Sequence, residues 1–182
     1  LGLRITTGTF KGRVLKTPPP TITRPTQERV RQAIFNMIQH SIEGAVFADL
    51  FSGSGAMGFE AISRGAEHAY LVESHLRAVK VIQENIRVLG CEDKITILKG
   101  DVKRMSTHLP LCDIIFCDPP YGSESEDLFL LEKLPVQSIL KPDGVIFFET
   151  THAFTGDALL HLTLKESRSF GDTTINVLTH KE

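Results

Sequence analysis

The most specific chemistry in this 182-residue chain lies in Asp118-Pro119-Pro120-Tyr121. These four residues follow Ile114-Ile115-Phe116-Cys117, an apolar run that reads as a buried strand. Two prolines remove two backbone donors and hold the neighbouring carbonyls in a fixed outward geometry. The Asp118 carboxylate and the Pro119 carbonyl can then accept hydrogen bonds from one exocyclic NH2 group. Tyr121 offers an aromatic face on which a planar base can stack. A rigid exit turn would account for the prolines but not for the carboxylate and the ring.

A second stretch, Ala48-Asp49-Leu50-Phe51-Ser52-Gly53-Ser54-Gly55-Ala56-Met57-Gly58, reads as strand end, glycine turn and helix start. Gly53 and Gly55 allow a ligand to approach the main chain, and the following helix directs its free N–H groups at the turn. An anionic ligand group would suit that position, and so would an ordinary tight turn. Gly53, Gly55 and Gly58 match G-x-G-x-x-G, so a nicotinamide dehydrogenase comes into view. Against it stand the lack of a substrate domain, Asp49 ahead of the turn, and the Asp118 motif.

These groups need a scaffold that gathers them. Short apolar runs at 45–51, 69–72, 95–98, 114–117 and 145–148 read as strands, and they alternate with helical patterns. Val79, Ile82, Ile86 and Leu89 make one helical stripe; Ala56, Phe59, Ala61 and Ile62 make another. The alternation predicts an α/β fold, a mostly parallel sheet with helices on both faces, with its ligand outside the C-terminal strand ends. Those ends carry Asp49, Glu73, Asp101 (after Gly100) and Asp118. Four acids on one rim exceed what a structural rim requires. Glu73 is placed to accept from two ribose hydroxyls; Asp101 could accept from an adenine amino group or simply open the next helix. A turn is expected at Lys141-Pro142-Asp143-Gly144. Two final strands, 162–170 and 174–179, are separated by Gly171-Asp172-Thr173 and predict a terminal antiparallel hairpin.

The first 44 residues differ in character. Strands at 3–7 and 13–16 predict a hairpin around Gly8-Thr9-Phe10-Lys11-Gly12. Three prolines, 18–20, force an extended connector. Thr26 is the expected N-cap of a helix whose apolar face is Val30, Ala33, Ile34, Met37 and Ile38. The whole chain has a net charge of -2, but residues 1–31 hold seven basic side chains and one acid, a net of +6 against -8 for the rest. Arg4, Lys11, Arg13, Lys16, Arg24, Arg29 and Arg31 are either a solvated face or a surface for a polyanion. The reading is a basic appendage over 1–44, too small to fold alone, ahead of a main domain over 45–182.

Three cysteines, Cys91, Cys112 and Cys117, have no zinc-type spacing, and their odd number fits reduced thiols in a cytoplasmic protein. No metal site is expected. No apolar stretch reaches the length of a membrane span and no signal peptide is read, so no membrane partner is expected.

Taken together, the D-x-F-x-G-x-G turn from Asp49 to Gly55, Glu73 and the Asp118 motif resemble class I S-adenosylmethionine-dependent methyltransferases acting on exocyclic amines. The likeness extends further. Arg4-Ile5 with Lys11-Gly12-Arg13, Thr23-Arg24-Pro25-Thr26, Arg29-Val30-Arg31 and Phe35-Asn36 are similar to the N-terminal signature of the RsmD family. Glu60-Ala61-Ile62-Ser63-Arg64-Gly65-Ala66 and Phe170-Gly171-Asp172-Thr173 continue it. Ser52 stands where that family often has Ala, and Met57 and Phe59 where it has Leu nearby, changes that roughly keep size or polarity.

The resemblance implies a Rossmann-like sheet of seven strands in the order 3-2-1-4-5-7-6, strand seven antiparallel. It implies methyl transfer from S-adenosylmethionine, giving S-adenosylhomocysteine, to N2 of a guanine in bacterial 16S ribosomal RNA, free or within an assembled small subunit. Asp118, Pro119, Pro120 and Tyr121 would be catalytic. Asp49, Phe51, Gly53, Ser54, Gly55, Glu73, Ser74, Asp101, Val102 and Asp118 would hold the cofactor. Arg4, Lys11, Arg13, Arg24, Arg29 and Arg31 would meet RNA, and the chain would act as a monomer. Other planar amines (adenine N6, cytosine N4, a glutamine amide) and a non-catalytic RNA-binding module are the alternatives.

Overall fold

The computed structural model describes residues 2–20, 26–120, 122–155 and 159–181. Seven strands form one sheet: β3 (Val46–Asp49), β4 (His68–Glu73), β5 (Ile95–Lys99), β6 (Cys112–Cys117), β7 (Leu140–Thr150), β8 (Leu162–Phe170) and β9 (Thr173–His180). Their order is β5-β4-β3-β6-β7-β9-β8. Counted from β3, this is the expected 3-2-1-4-5-7-6. The pairs β3–β4, β4–β5, β3–β6 and β6–β7 are parallel, while β9 runs antiparallel to both β7 and β8.

The central parallel strands are buried on both faces and so read as continuous apolar runs. Phe47, Ile114, Phe116 and Phe147 enter one core, and their chain neighbours Ala48, Ile115, Cys117 and Phe148 enter the other. Helices α2 (Ala56–Ser63) and α3 (Leu76–Leu89) cover the first face. The short α4 (Val102–Met105) with α5 (Glu124–Lys133) and α6 (Val136–Ile139) contribute to the second. The α3 stripe is the expected one, Val79, Ile82, Ile86 and Leu89, all buried. Succession reverses at β3, which lies between β4 and β6; this is the switch point at which α/β sheets place ligands.

The turn expected at 141–144 is instead absorbed within β7. Cys112 pairs with Leu140 while Ile114 pairs with Val145, so one strand advances two residues and the other five. The extra residues bulge out of the ladder, which Pro142 could not join as a donor in any case.

At the N-terminus, β1 (Leu3–Arg4) and β2 (Val14–Leu15) pair antiparallel, with shorter strands than expected, and α1 (Glu28–Met37) follows. The N-cap of α1 is Gln27, one residue after the expected Thr26, and has no side-chain cap bond. Ile5, Leu15, Val30, Ile34 and Phe35 share a core with Phe47 and Ile82, so hairpin, α1 and sheet bury one another.

Glu60, on α2, anchors this packing with 0% exposure. Its carboxylate accepts from the Thr6 amide at 3.0 Å, the Thr6 hydroxyl at 2.6 Å, the Thr7 amide at 3.2 Å and Arg64 Nε at 3.0 Å. One turn on, Ser63 accepts from the Phe10 amide and donates to the Thr7 carbonyl. The hairpin turn therefore lies directly against α2. At Gly8, φ is +85°, and a Cβ would stand 1.7 Å from the Ser63 carbonyl oxygen, so no side chain fits.

Candidate active site

The glycine turn is stitched to both neighbouring strands. The Leu50 amide donates to the Phe116 carbonyl at 2.9 Å and the Ser52 amide to the Val72 carbonyl at 3.0 Å. Gly55 caps α2 at φ +78°, and a Cβ there would stand 2.9 Å from the Phe59 ring. Both constraints require glycine.

Glu73 closes β4 and locks this turn from the side. One carboxylate oxygen accepts from the Gly53 amide at 2.8 Å and the other from the His75 amide at 2.7 Å. Each oxygen keeps lone pairs for a further donor. Asp101 caps α4, accepting from the Lys103 amide at 2.9 Å. Asp49 lies beneath the turn, 1% exposed, and accepts from the Phe51 amide at 3.2 Å. Burial pushes its carboxyl up to about 8; the Phe51 bond opposes this, and the negative charges of Glu73 and Glu149 add to it.

These strand ends open on a cavity of about 490 Å³, a volume in the range that holds small-molecule ligands. Of the residues expected at a cofactor, Phe51, Gly53, Glu73, Ser74, Asp101, Val102 and Asp118 line it, beside Pro119 and Pro120. Asp49, Ser54 and Gly55 do not; Asp49 and Ser54 are buried and Gly55 caps α2. Tyr121 lies outside the described residues.

Several lining residues escaped the sequence reading: Gln27 ahead of α1, His75, Gly122, Asp127 on α5, Glu149, Thr150 and Thr151 at the end of β7, and Thr173 at the start of β9. Glu149 was within reach, since it ends a strand as Glu73 and Asp118 do. Asp127 sits in an acidic first helical turn and gives no such signal.

Among the described residues, the lining holds five carboxylates (Glu73, Asp101, Asp118, Asp127, Glu149) and neither lysine nor arginine. Such a cavity repels phosphate and attracts a ligand bearing positive charge and N–H or O–H donors. That disfavours the pyrophosphate of a dinucleotide and, with it, a phosphate at the glycine turn. No group of three or more His, Cys, Asp or Glu suited to a metal ion occurs among the described residues.

The basic residues divide. Arg4, Lys11, Arg13 and Arg29 are exposed. Arg13 also donates to the Val88 carbonyl at 3.1 Å, and Arg29 lies over the Phe170 ring, 5.9 Å from its centroid, near the cavity wall formed by Gln27 and Thr173. Arg24 falls outside the described residues. Arg31 does not belong with them. It is 1% exposed, faces Glu60 at 3.5 Å and donates to the Arg4 carbonyl at 2.6 Å. An RNA-contacting role is therefore withdrawn for Arg31, whose charge is spent on holding the hairpin to α2.

Cys91, Cys112 and Cys117 are buried thiols, all raised in pKa chiefly by burial and unsuited to act as nucleophiles. No helix among the described residues is long and apolar enough to cross a membrane.

The sheet order, the glycine turn and the acidic strand ends define a class I S-adenosylmethionine-dependent methyltransferase. A family model described as conserved hypothetical protein 95 matches residues 3–179, and the chain belongs to that family, related to the RsmD and YlbH proteins. It is 30% identical over 152 residues to ribosomal RNA small subunit methyltransferase D of Haemophilus influenzae, covering 81% of this chain and 78% of that one. The protein of the same name from Escherichia coli (strain K12) is 33% identical over 132 residues, covering 71% and 67%. The solved structure of yhhF from Escherichia coli superposes with a TM-score of 0.81 at 27% identity, covering 98% of this chain and 97% of the other.

Proposed function

We propose that this methyltransferase transfers a methyl group from S-adenosylmethionine to the exocyclic N2 of a guanine in bacterial small-subunit (16S) ribosomal RNA. The observation that carries the reading is that Asp118 and Pro119 share one cation-attracting cavity with Glu73 and the glycine turn. The names borne by the Haemophilus influenzae and Escherichia coli relatives support the choice of substrate.

The residues present suit the cofactor. Phe51 and Gly53 would meet its methionine part, the anchored Glu73 carboxylate its ribose hydroxyls, and Asp101 and Val102 its adenine. Asp49, Ser54 and Gly55 keep that surface in shape. When bound, S-adenosylmethionine supplies a methyl group already activated on a positively charged sulfur, so no metal is required.

The chain's task is to improve and aim a poor nucleophile. A guanine amino group conjugates its lone pair with the ring. Hydrogen bonds from that NH2 to Asp118 and to the Pro119 carbonyl favour a pyramidal nitrogen and stabilise the positive charge developing there. Tyr121 would stack the base and Pro119 and Pro120 would fix the loop, so that alignment would supply much of the rest. The proton released from nitrogen passes to Asp118 or to water. The base must be unpaired or flipped to enter. Arg4, Lys11, Arg13, Arg24 and Arg29, within the basic segment 1–44, would hold RNA phosphates. The protein would work as a monomer in the cytoplasm.

The deciding experiment is methyl transfer to small-subunit RNA, free and assembled, with mass spectrometry of the methylated nucleoside. N2-methylguanosine is expected, and Asp118→Ala should lower the rate by about 100-fold or more. A methylated adenine or cytosine, or methyl label in a protein glutamine of the assembled particle, would replace this reading; activity of Asp118→Ala near wild type would remove Asp118 from it.

A further inference from the structure

Asp127 is 4% exposed and lines the same cavity as Asp118. Its helix starts directly after the 118–122 loop and is held there by a capping box. In that box the Ser123 amide donates to the Glu126 carboxylate at 2.7 Å; in the first helical turn the Asp127 amide donates to the Ser123 carbonyl at 3.1 Å. One Asp127 carboxylate oxygen lies 3.2 Å from where a Cβ on Gly122 would stand, against the residue that follows Tyr121.

The partner of this carboxylate is incomplete. Oδ2 lies 3.7 Å from His152 Nε2, beyond hydrogen-bond length. His152 Nε2 is itself buried with no hydrogen-bond partner among the described residues. The loop that carries it is firmly placed. Asn176, 0% exposed, donates to the Thr150 hydroxyl at 3.0 Å and to the His152 carbonyl at 3.2 Å, and accepts from the Phe154 amide at 3.0 Å. A buried acceptor that faces a ligand cavity while its protein partner stops short is arranged to take a donor from the ligand.

We propose that Asp127 selects guanine among planar amines by accepting its N1–H while Asp118 holds the N2 amino group, with His152 positioning the Asp127 carboxylate. The proposal rests on the reading of the reaction as N2 methylation of guanine. Guanine presents N1–H and the N2 amino group as adjacent donors on one edge. Adenine and cytosine place a ring acceptor beside their amino group, and a carboxylate there repels it. Two carboxylates in one cavity, each taking one of these donors, therefore match guanine and disfavour the other two bases. Burial raises the Asp127 carboxyl above the ordinary range, the facing imidazole opposes this, and Glu126 adds to it. His152 thereby favours the charged form that reads N1–H.

The test compares two RNAs that differ in one base. The methylated guanine is located by mass spectrometry, and a second RNA is ligated with 2,6-diaminopurine at that position. This base keeps the N2 amino group but has an acceptor at N1 and an amino group in place of the C6 carbonyl. Wild-type protein should prefer the guanine RNA by about 100-fold in kcat/KM. Asp127→Asn, whose carboxamide can donate to an N1 acceptor, should lose about 100-fold on guanine and bring the ratio close to one. His152→Ala should narrow the ratio by about tenfold, with S-adenosylmethionine affinity unchanged by calorimetry in both variants. Equal use of the two RNAs by the wild type overturns the proposal even if Asp127→Asn does not fold. A ratio unchanged in Asp127→Asn overturns it while leaving N2 methylation intact. Wild-type methylation of another amine removes the functional reading and this proposal together.

Discussion

The carboxylate of Glu73 accepts a hydrogen bond from the Gly53 amide at 2.8 Å, which ties the end of the second core strand to the glycine turn after the first. The same side chain takes the His75 amide at 2.7 Å. Glu73 thus shapes two loops of the cavity as well as facing into it.

Substitution of Glu73 by Ala removes the acceptor for both amides, at about 0.5–1.5 kcal/mol for each partly buried hydrogen bond lost. S-adenosylmethionine affinity should fall by at least about tenfold in calorimetry, with a lower melting temperature. Glu73→Gln, which keeps an acceptor, should lose affinity and recover most of the stability. Equal affinities in wild type and Glu73→Ala would show that the carboxylate touches only protein.

Asp49 makes stability depend on pH in an uncommon direction. Its folded pKa of about 8 lies above the ordinary carboxylate value, so the native state holds a proton that the unfolded chain releases. The contribution is complete below about pH 4 and is lost as pH rises towards 8. Urea unfolding of wild type against Asp49→Asn should show a difference that shrinks in the wild type's favour at low pH and grows against it at high pH. Binding of a cationic cofactor favours the ionised form, so wild-type affinity should tighten as pH climbs to 8. Parallel stability curves for the two proteins would contradict the raised value.

Removing Glu60 leaves Arg31 a buried cation without its partner. Glu60→Ala should cost about 3–5 kcal/mol in chemical unfolding and free residues 2–16 for protease cleavage. Glu60→Gln should fall between the two. Cleavage as slow as in wild type would mean that apolar packing alone retains the hairpin.

Reversal of Arg4, Lys11 and Arg13 to Glu should weaken RNA binding about tenfold or more at low salt and flatten its salt dependence. S-adenosylmethionine affinity should stay at the wild-type value. Unaltered RNA binding would return these side chains to ordinary solvated surface.

The sheet and its rim were legible because their signals are local. An apolar run followed by Asp or Glu marks a strand end, and β3, β4 and β6 follow that rule. Arg31 was not legible, because a count of cations along the chain treats all of them alike. What sets Arg31 apart is Glu60, 29 positions later and brought near by packing. Asp127 was hidden for a similar reason: beside Glu124 and Glu126 it reads as one more acid compensating a helix dipole. Only the turn at 118–122 and the loop after β7 reveal its position at the cavity. The 141–144 stretch misled in the other direction, since Pro-Asp-Gly is turn chemistry that β7 accommodates as a bulge.

The Glu60 anchor also sets an order of events during synthesis. The β1–β2 hairpin has only two paired residues in each strand, too few to persist alone. Its amides find their acceptors on α2, and the Lys16 amide finds its own on Asn85 of α3 at 2.9 Å. The hairpin therefore waits, unstructured, until about seventy later residues have left the ribosome to receive it. The hairpin is made before its acceptors and docks only after them.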